Sequence, residues 1–89
     1  LHLREQGENA WIADAQMDIE DVAAATGLVL PHEEIDDGLY RTLSGFILHR
    51  LGHVPKEGEC FTSGAHELEI TDTDRQRIDK VTIRRVVVE

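Results

Sequence analysis

The stretch from Thr42 to Glu59, TLSGFILHRLGHVPKEGE, permits one short helix and then forbids it to continue. Leu43, Phe46, Ile47 and Leu51 recur at the spacing of a single helical face, and Leu48 widens that face. The Thr42 hydroxyl can accept from first-turn N–H groups, so the helix is expected to begin there. Gly52 can enter the left-handed region that closes a helix, and Pro55 has no N–H with which to restart it. Gly45 inside the helix costs about 1 kcal/mol relative to Ala, which implies close approach by another backbone. The chain must therefore turn back at once. Val54 is expected to re-enter the core, Gly58 to turn the chain, and Cys60 and Phe61 to open a short strand, with charge marking the surface of that turn.

The remaining segments offer a surface on which this helix can pack. AWIADA, Ala10 to Ala15, reads as a strand anchored by Trp11. Asp18 is placed to cap a first helix, with Asp21 three residues on and Met17 and Val22 positioned as a hydrophobic staple. Ile19, Val22, Ala23 and Thr26 form its apolar stripe, and Gly27 closes it. Leu30 precedes Pro31 and is held extended. In HELEITD, Leu68 and Ile70 alternate inward, TDTDRQR has the composition of a hairpin connection, and Val81 and Ile83 resume the alternation. Val86 and Val88 fall on the opposite parity, which calls for a bulge near Arg84 and Arg85 or departure from the sheet. One core is expected from Trp11, Ile19, Val22, Phe46, Ile47, Leu51, Leu68, Ile70, Val81 and Ile83. Residues 1–9 read as a polar lead-in or linker, and 10–89 as the domain; because the chain opens on Leu1, it is expected to be cut from a longer protein.

A chain of 89 residues buries only about 60 to 65% of its unfolded surface, which disfavours a spacious internal active site. With 9 Lys and Arg against 18 Asp and Glu, the net charge is -9, the wrong sign for nucleic acid or an anionic lipid surface. The excess is local: residues 1–45 carry ten acids and two bases, residues 46–89 eight and seven. The single Cys60 cannot form an internal disulfide, so a cytosolic setting is the simpler reading. No apolar run approaches the length of a membrane span, so direct insertion of this segment is not expected.

Three segments, WIADAQMDIEDVAAATGLVLP, YRTLSGFILHRLGHVPKEGE and HELEITDTDRQRIDKVTI, together resemble the transporter-associated domain of the CorC/HlyC type. The middle segment is the most specific, through Thr42, Leu43, Gly45, Leu51, Gly52, Val54, Pro55, Gly58 and Glu59. The resemblance covers about Ala10 to Ile83. It implies a small α+β domain with two helices on a sheet of four or five mostly antiparallel strands, related to a subdomain of FAD-binding enzymes. It also implies a non-catalytic regulatory or docking role on the cytoplasmic side, at the C-terminal end of a magnesium or cobalt efflux or hemolysin-like membrane protein. The implied partners are the chain's own upstream CBS modules and membrane domain, and a homodimer mate. This chain departs from the family pattern in its longer TDTDRQ connection and its histidines.

Chemistry is sparse. Between Asp14 and Asp37 stand eight carboxylates and no Lys or Arg, and Glu33, Glu34, Asp36 and Asp37 could gather a hard divalent cation such as Mg²⁺. The plainer reading is a solvated face with helix-capping acids, so no metal site is assigned. A divalent-cation sensor built on this segment, or a purely structural assembly domain, stands as the alternative to docking. His49, His53, Cys60 and His66 have a superficially zinc-like spacing, but Gly52 and Pro55 break the helix between and beyond the first pair. Trp11 and Phe46 are needed by a core in which aromatics are only 4% of residues, and the chain has no glycine-rich phosphate cradle, so FAD and other cofactors are not expected. No nucleophile and base pair can be argued, so no catalytic residue is assigned.

Overall fold

The structure, a computed structural model, describes residues 3–30, 38–75 and 77–86. Its elements are β1 (Leu3–Glu5), β2 (Ala10–Asp14), α1 (Ile19–Thr26), α2 (Leu43–Leu51), β3 (Cys60–Ser63), β4 (His66–Asp74) and β5 (Arg77–Arg85). The strands form one sheet in the order β1-β2-β5-β4-β3, and every neighbouring pair is antiparallel. Both helices pack on one face of the sheet, giving the α+β architecture that the sequence implies.

Register explains why that face is apolar. Ile83 lies opposite Trp11 on one side and Leu68 on the other, and Val81 lies opposite Ala13 and Ile70. Because side chains alternate across a strand, these six share one face. Ile19 and Val22 of α1 and Leu43, Phe46 and Ile47 of α2 close over it, all at most 1% exposed. Trp11 and Leu51 are half-buried and pack against this core. On the opposite face, Arg84 is held between Glu67 and Glu69 on β4.

The helix ends form as local capping predicts. Asp18 Oδ1 accepts from the Glu20 N–H at 2.9 Å and Thr42 Oγ1 from the Gly45 N–H at 3.1 Å. Gly27 and Gly52 close the two helices at φ 79° and 76°. Nothing lies within 4 Å of where a Gly52 side chain would begin, so its role is conformational. Gly52→Ala is expected to cost about 1 to 2 kcal/mol, the cost of a left-handed L-residue, with Gly52→Asn less severe. Urea midpoints of the two variants check this.

The helix starts are also stitched together: Ile19 N donates to the Arg41 carbonyl, Leu43 N to Met17 and Ser44 N to Ala15, at 2.8 to 2.9 Å. First-turn amides that a helix cannot satisfy internally are thus satisfied by the chain entering the other helix, or by the end of β2 and its following turn. At the far end of α2, Arg50 reaches β3, with Nη2 3.3 Å from the Thr62 carbonyl and Nη1 3.5 Å from Ser63 Oγ.

Several details differ from the sequence reading. Leu3–Glu5, placed there in a polar lead-in, is an edge strand paired with β2; it has only three residues and exposes Arg4 and Glu5, so it has no readable alternation. Val54 does not re-enter the core but is 50% exposed, and Pro55 is buried in its place. Proline suits that position because it brings no backbone donor into the interior. Gly45 is approached not by a backbone alone but by Tyr40, whose Cβ would lie 3.1 Å from an added methyl. The sheet's irregularity lies at the hairpin end, where Thr71 and Asp79 are the extra residues between the pairs Ile70–Val81, Asp72–Lys80 and Thr73–Ile78. That shift turns Ile78 into the core despite its parity, while Val86 leaves β5 and is 43% exposed, which is the departure from the sheet that its parity allowed. Val88 lies outside the described residues.

Candidate functional site

The acids that could have formed a cation site divide between the described and undescribed chain. Glu33, Glu34, Asp36 and Asp37 lie outside the described residues. Of the others, Asp14 Oδ1 accepts from the Gln16 N–H at 2.9 Å, and Asp18 is committed to capping α1. Glu20 and Asp21 are exposed in the first turn of α1, where the positive end of the helix dipole favours them. Among the described residues, no three His, Cys, Asp or Glu side chains converge as a metal site would require. What Asp18, Glu20 and Asp21 do form is an exposed acidic surface at the stitched helix starts. An open groove there is lined by Asp18, Ile19, Glu20, Gly38, Tyr40 and Arg41.

The zinc-like quartet is scattered. The His49 ring lies tilted against Tyr40 with centroids 5.6 Å apart, His53 lies in the return after α2, Cys60 is exposed on β3, and His66 is buried. Phe46 is wholly buried, edge-on to Tyr40 at 5.3 Å and tilted against Phe61 at 6.5 Å, so it serves the core and not a ligand floor.

Two arrangements escaped sequence reasoning. His66 Nε2 donates to the Thr26 carbonyl at 2.9 Å, tying β4 to the closing turn of α1, while its Nδ1 is buried without a partner. The available signal was parity, since His66 continues the inward series of Leu68 and Ile70. His53 and Glu59 also meet, at 2.8 Å. Their hydrogen bond raises the His53 pKa and lowers that of Glu59. Glu69 and Glu67 likewise hold the Arg84 guanidinium more firmly protonated.

Among the described residues no helix is long and apolar enough to cross a membrane. A UPF0053 protein of Mycobacterium tuberculosis (strain CDC 1551 / Oshkosh) is 43% identical over 76 residues, which cover 85% of this chain and 14% of that protein. The polyamine export protein of Haemophilus influenzae (strain ATCC 51907 / DSM 11121 / KW20 / Rd) is 30% identical over 80 residues, 89% of this chain and 18% of its own length. The chain thus spans less than a fifth of these relatives. A solved transporter associated domain CorC_HlyC from a Xylella fastidiosa Temecula1 hemolysin, in complex with Mg++ and Mn++, superposes with a TM-score of 0.80 at 26% identity, covering 96% of this chain and 98% of that one. The family profile described as CorC_HlyC, transporter associated domain, matches residues 4–87, and the chain belongs to that family.

Proposed function

We propose that this domain is a non-catalytic docking and regulatory module on the cytoplasmic side of a cation-exporting membrane protein. In this reading, its acidic helix-start surface packs on a basic surface of the same polypeptide, its CBS modules or its dimer mate. The observation that carries the reading is the charge split: residues 1–45 hold ten acids against two bases, and Asp18, Glu20 and Asp21 stand exposed together at the start of α1. Opposed charges steer encounter over about a Debye length, and a few apolar contacts then supply affinity. Membership of a transporter-associated family supports the setting. Polyamine export proteins are among its relatives, and a similar solved domain from Neisseria meningitidis MC58 is described as the associated region of a Mg²⁺ and Co²⁺ transporter; magnesium and cobalt are the narrower cargo within the class of cations.

A second reading, a divalent-cation sensor in the acidic segment, is favoured by the Xylella domain described in complex with Mg++ and Mn++. Amide exchange separates the two. Docking requires that Asp14 to Asp21 gain protection when the segment is joined to its natural upstream modules, and lose it as salt rises from about 0.05 to 0.5 M. If protection is unchanged by those modules while millimolar Mg²⁺, Co²⁺ or Zn²⁺ shifts the Asp14 to Asp37 amide signals, the sensor reading replaces docking.

A further inference from the structure

The return from α2 to the sheet contains an ionisable pair whose geometry specifies a protonation state. His53 Nδ1 lies 3.0 Å from the Leu51 carbonyl oxygen and Nε2 lies 2.8 Å from Glu59 Oε1. Both neighbours can only accept. A neutral imidazole has one N–H and one lone pair, so it can satisfy one of them and must turn a lone pair toward the other. Only the imidazolium donates to both. Glu59 in turn accepts from the Lys56 N–H through Oε2 at 3.1 Å, so a single carboxylate joins residues 53, 56 and 59. Glu57 Oε1 fastens the same return to β4, accepting from Thr73 N at 3.3 Å and Thr73 Oγ1 at 3.1 Å.

We propose that His53 and Glu59 are a pH-sensitive clasp, holding residues 53–57 of the return closed through both ring nitrogens while His53 is an imidazolium and loosening them, by loss of one of the two bonds, when the ring loses its proton. Glu59 is the acid in contact with the ring, and Lys56 is the cation nearest to Glu59 along the return. Arg50 points away to Thr62 and Ser63, and Glu57 is engaged by Thr73 on β4. The negative end of α2's dipole, at the Leu51 carbonyl, adds to the preference for a cation. The pKa of His53 is raised, chiefly by its hydrogen bond to Glu59, and that of Glu59 is lowered, chiefly by His53. The clasp therefore operates between the lowered Glu59 value and the raised His53 value. It is lost as pH rises through the second and as pH falls through the first.

What the clasp shapes is a groove between the return and the β4–β5 hairpin, lined by Val54, Pro55, Lys56, Glu57, Thr73 and Arg75. Release would loosen the wall carrying Val54 and Lys56, on either side of the buried Pro55, while both helices stay packed on the sheet. This device is independent of the acidic surface, so either can fail alone.

The test is a pH titration of the isolated domain by NMR. Near pH 6, both ring nitrogens of His53 should carry protons, and the ring should titrate above the ordinary histidine value of about 6.5. Glu59→Gln should move that midpoint down. Amide exchange at residues 53, 54, 56 and 57, corrected for its intrinsic pH dependence, should rise several-fold as pH passes the His53 midpoint, while residues 43–48 stay unchanged, as should Gly58, whose N–H is held by the Ile70 carbonyl. In Glu59→Gln the exchange should already be fast at pH 6. A midpoint at or below 6.5 in the unaltered domain, one unmoved by Glu59→Gln, or exchange at residues 53, 54, 56 and 57 that ignores the titration would overturn the proposal.

Discussion

Phe46→Ala is expected to lower the unfolding free energy by about 3 to 5 kcal/mol. Phe46 is 0% exposed and is the largest of the fully buried side chains. Its ring packs against Tyr40 and Phe61, so truncation removes two aromatic contacts as well as buried area. The space left behind is bounded by Tyr40, Phe61 and the closely packed core, which limits collapse around the cavity. A domain of this size has a total stability of about 5 to 15 kcal/mol, so the loss is a large share of it. The check is a urea denaturation curve, with Val54→Asp as the contrast. Val54 is half exposed, and its variant should fall within about 0.5 kcal/mol of the parent. A Phe46→Ala midpoint equal to the parent's would mean that α2 presents a different face.

Val81→Asp should do more damage still, about 4 kcal/mol or more. Val81 is on the central strand, 0% exposed, between Ala13 and Ile70 and under both helices. The apolar neighbours give a carboxylate nothing to bind, so the new acid would keep its proton in the folded state and lose it on unfolding. Its folded pKa then lies above its unfolded one, and the sign follows. The folded form holds the extra proton, so stability falls as pH rises above the ordinary Asp range, by up to about 1.4 kcal/mol per pH unit. Thermal melts from pH 5 to pH 8 should show the variant losing stability with rising pH more steeply than the parent. A variant with unchanged pH dependence would place residue 81 in contact with water.

These effects are foreseeable because they rest on short-range rules. The ends of both helices were legible in the sequence because Asp18, Thr42, Gly27 and Gly52 act within one turn of themselves. The inward face of β4 and β5 was legible from alternation at Leu68, Ile70, Val81 and Ile83. Beyond that, distant segments decide. The extra residues Thr71 and Asp79 suit a neighbour on the far side of the chain, since the Asp79 carbonyl accepts from Ala15 N at 2.9 Å. Likewise β1 exists because β2 offers it a ladder, and three residues could not announce that alone. At the candidate surface the sequence shows that acids are concentrated, not that Asp18, Glu20 and Asp21 stand together over paired helix starts. His53 and Glu59 meet only because the return closes on itself, a fact of backbone path and not of spacing.

The reach of Arg50 over β3 has a consequence for the company this domain can keep. The Glu59 carbonyl accepts from Ile70 on β4, so by alternation the Thr62 carbonyl points away from the sheet, and Arg50 occupies it. A visiting strand seeking the β3 margin would have to evict a guanidinium to pair with Thr62. On the opposite margin the described strand β1 is three residues long, and short edge strands are poor templates for addition. Among the described residues both margins are thus blunted against edge-to-edge addition of copies, and whatever binds here is expected to approach a face or a loop.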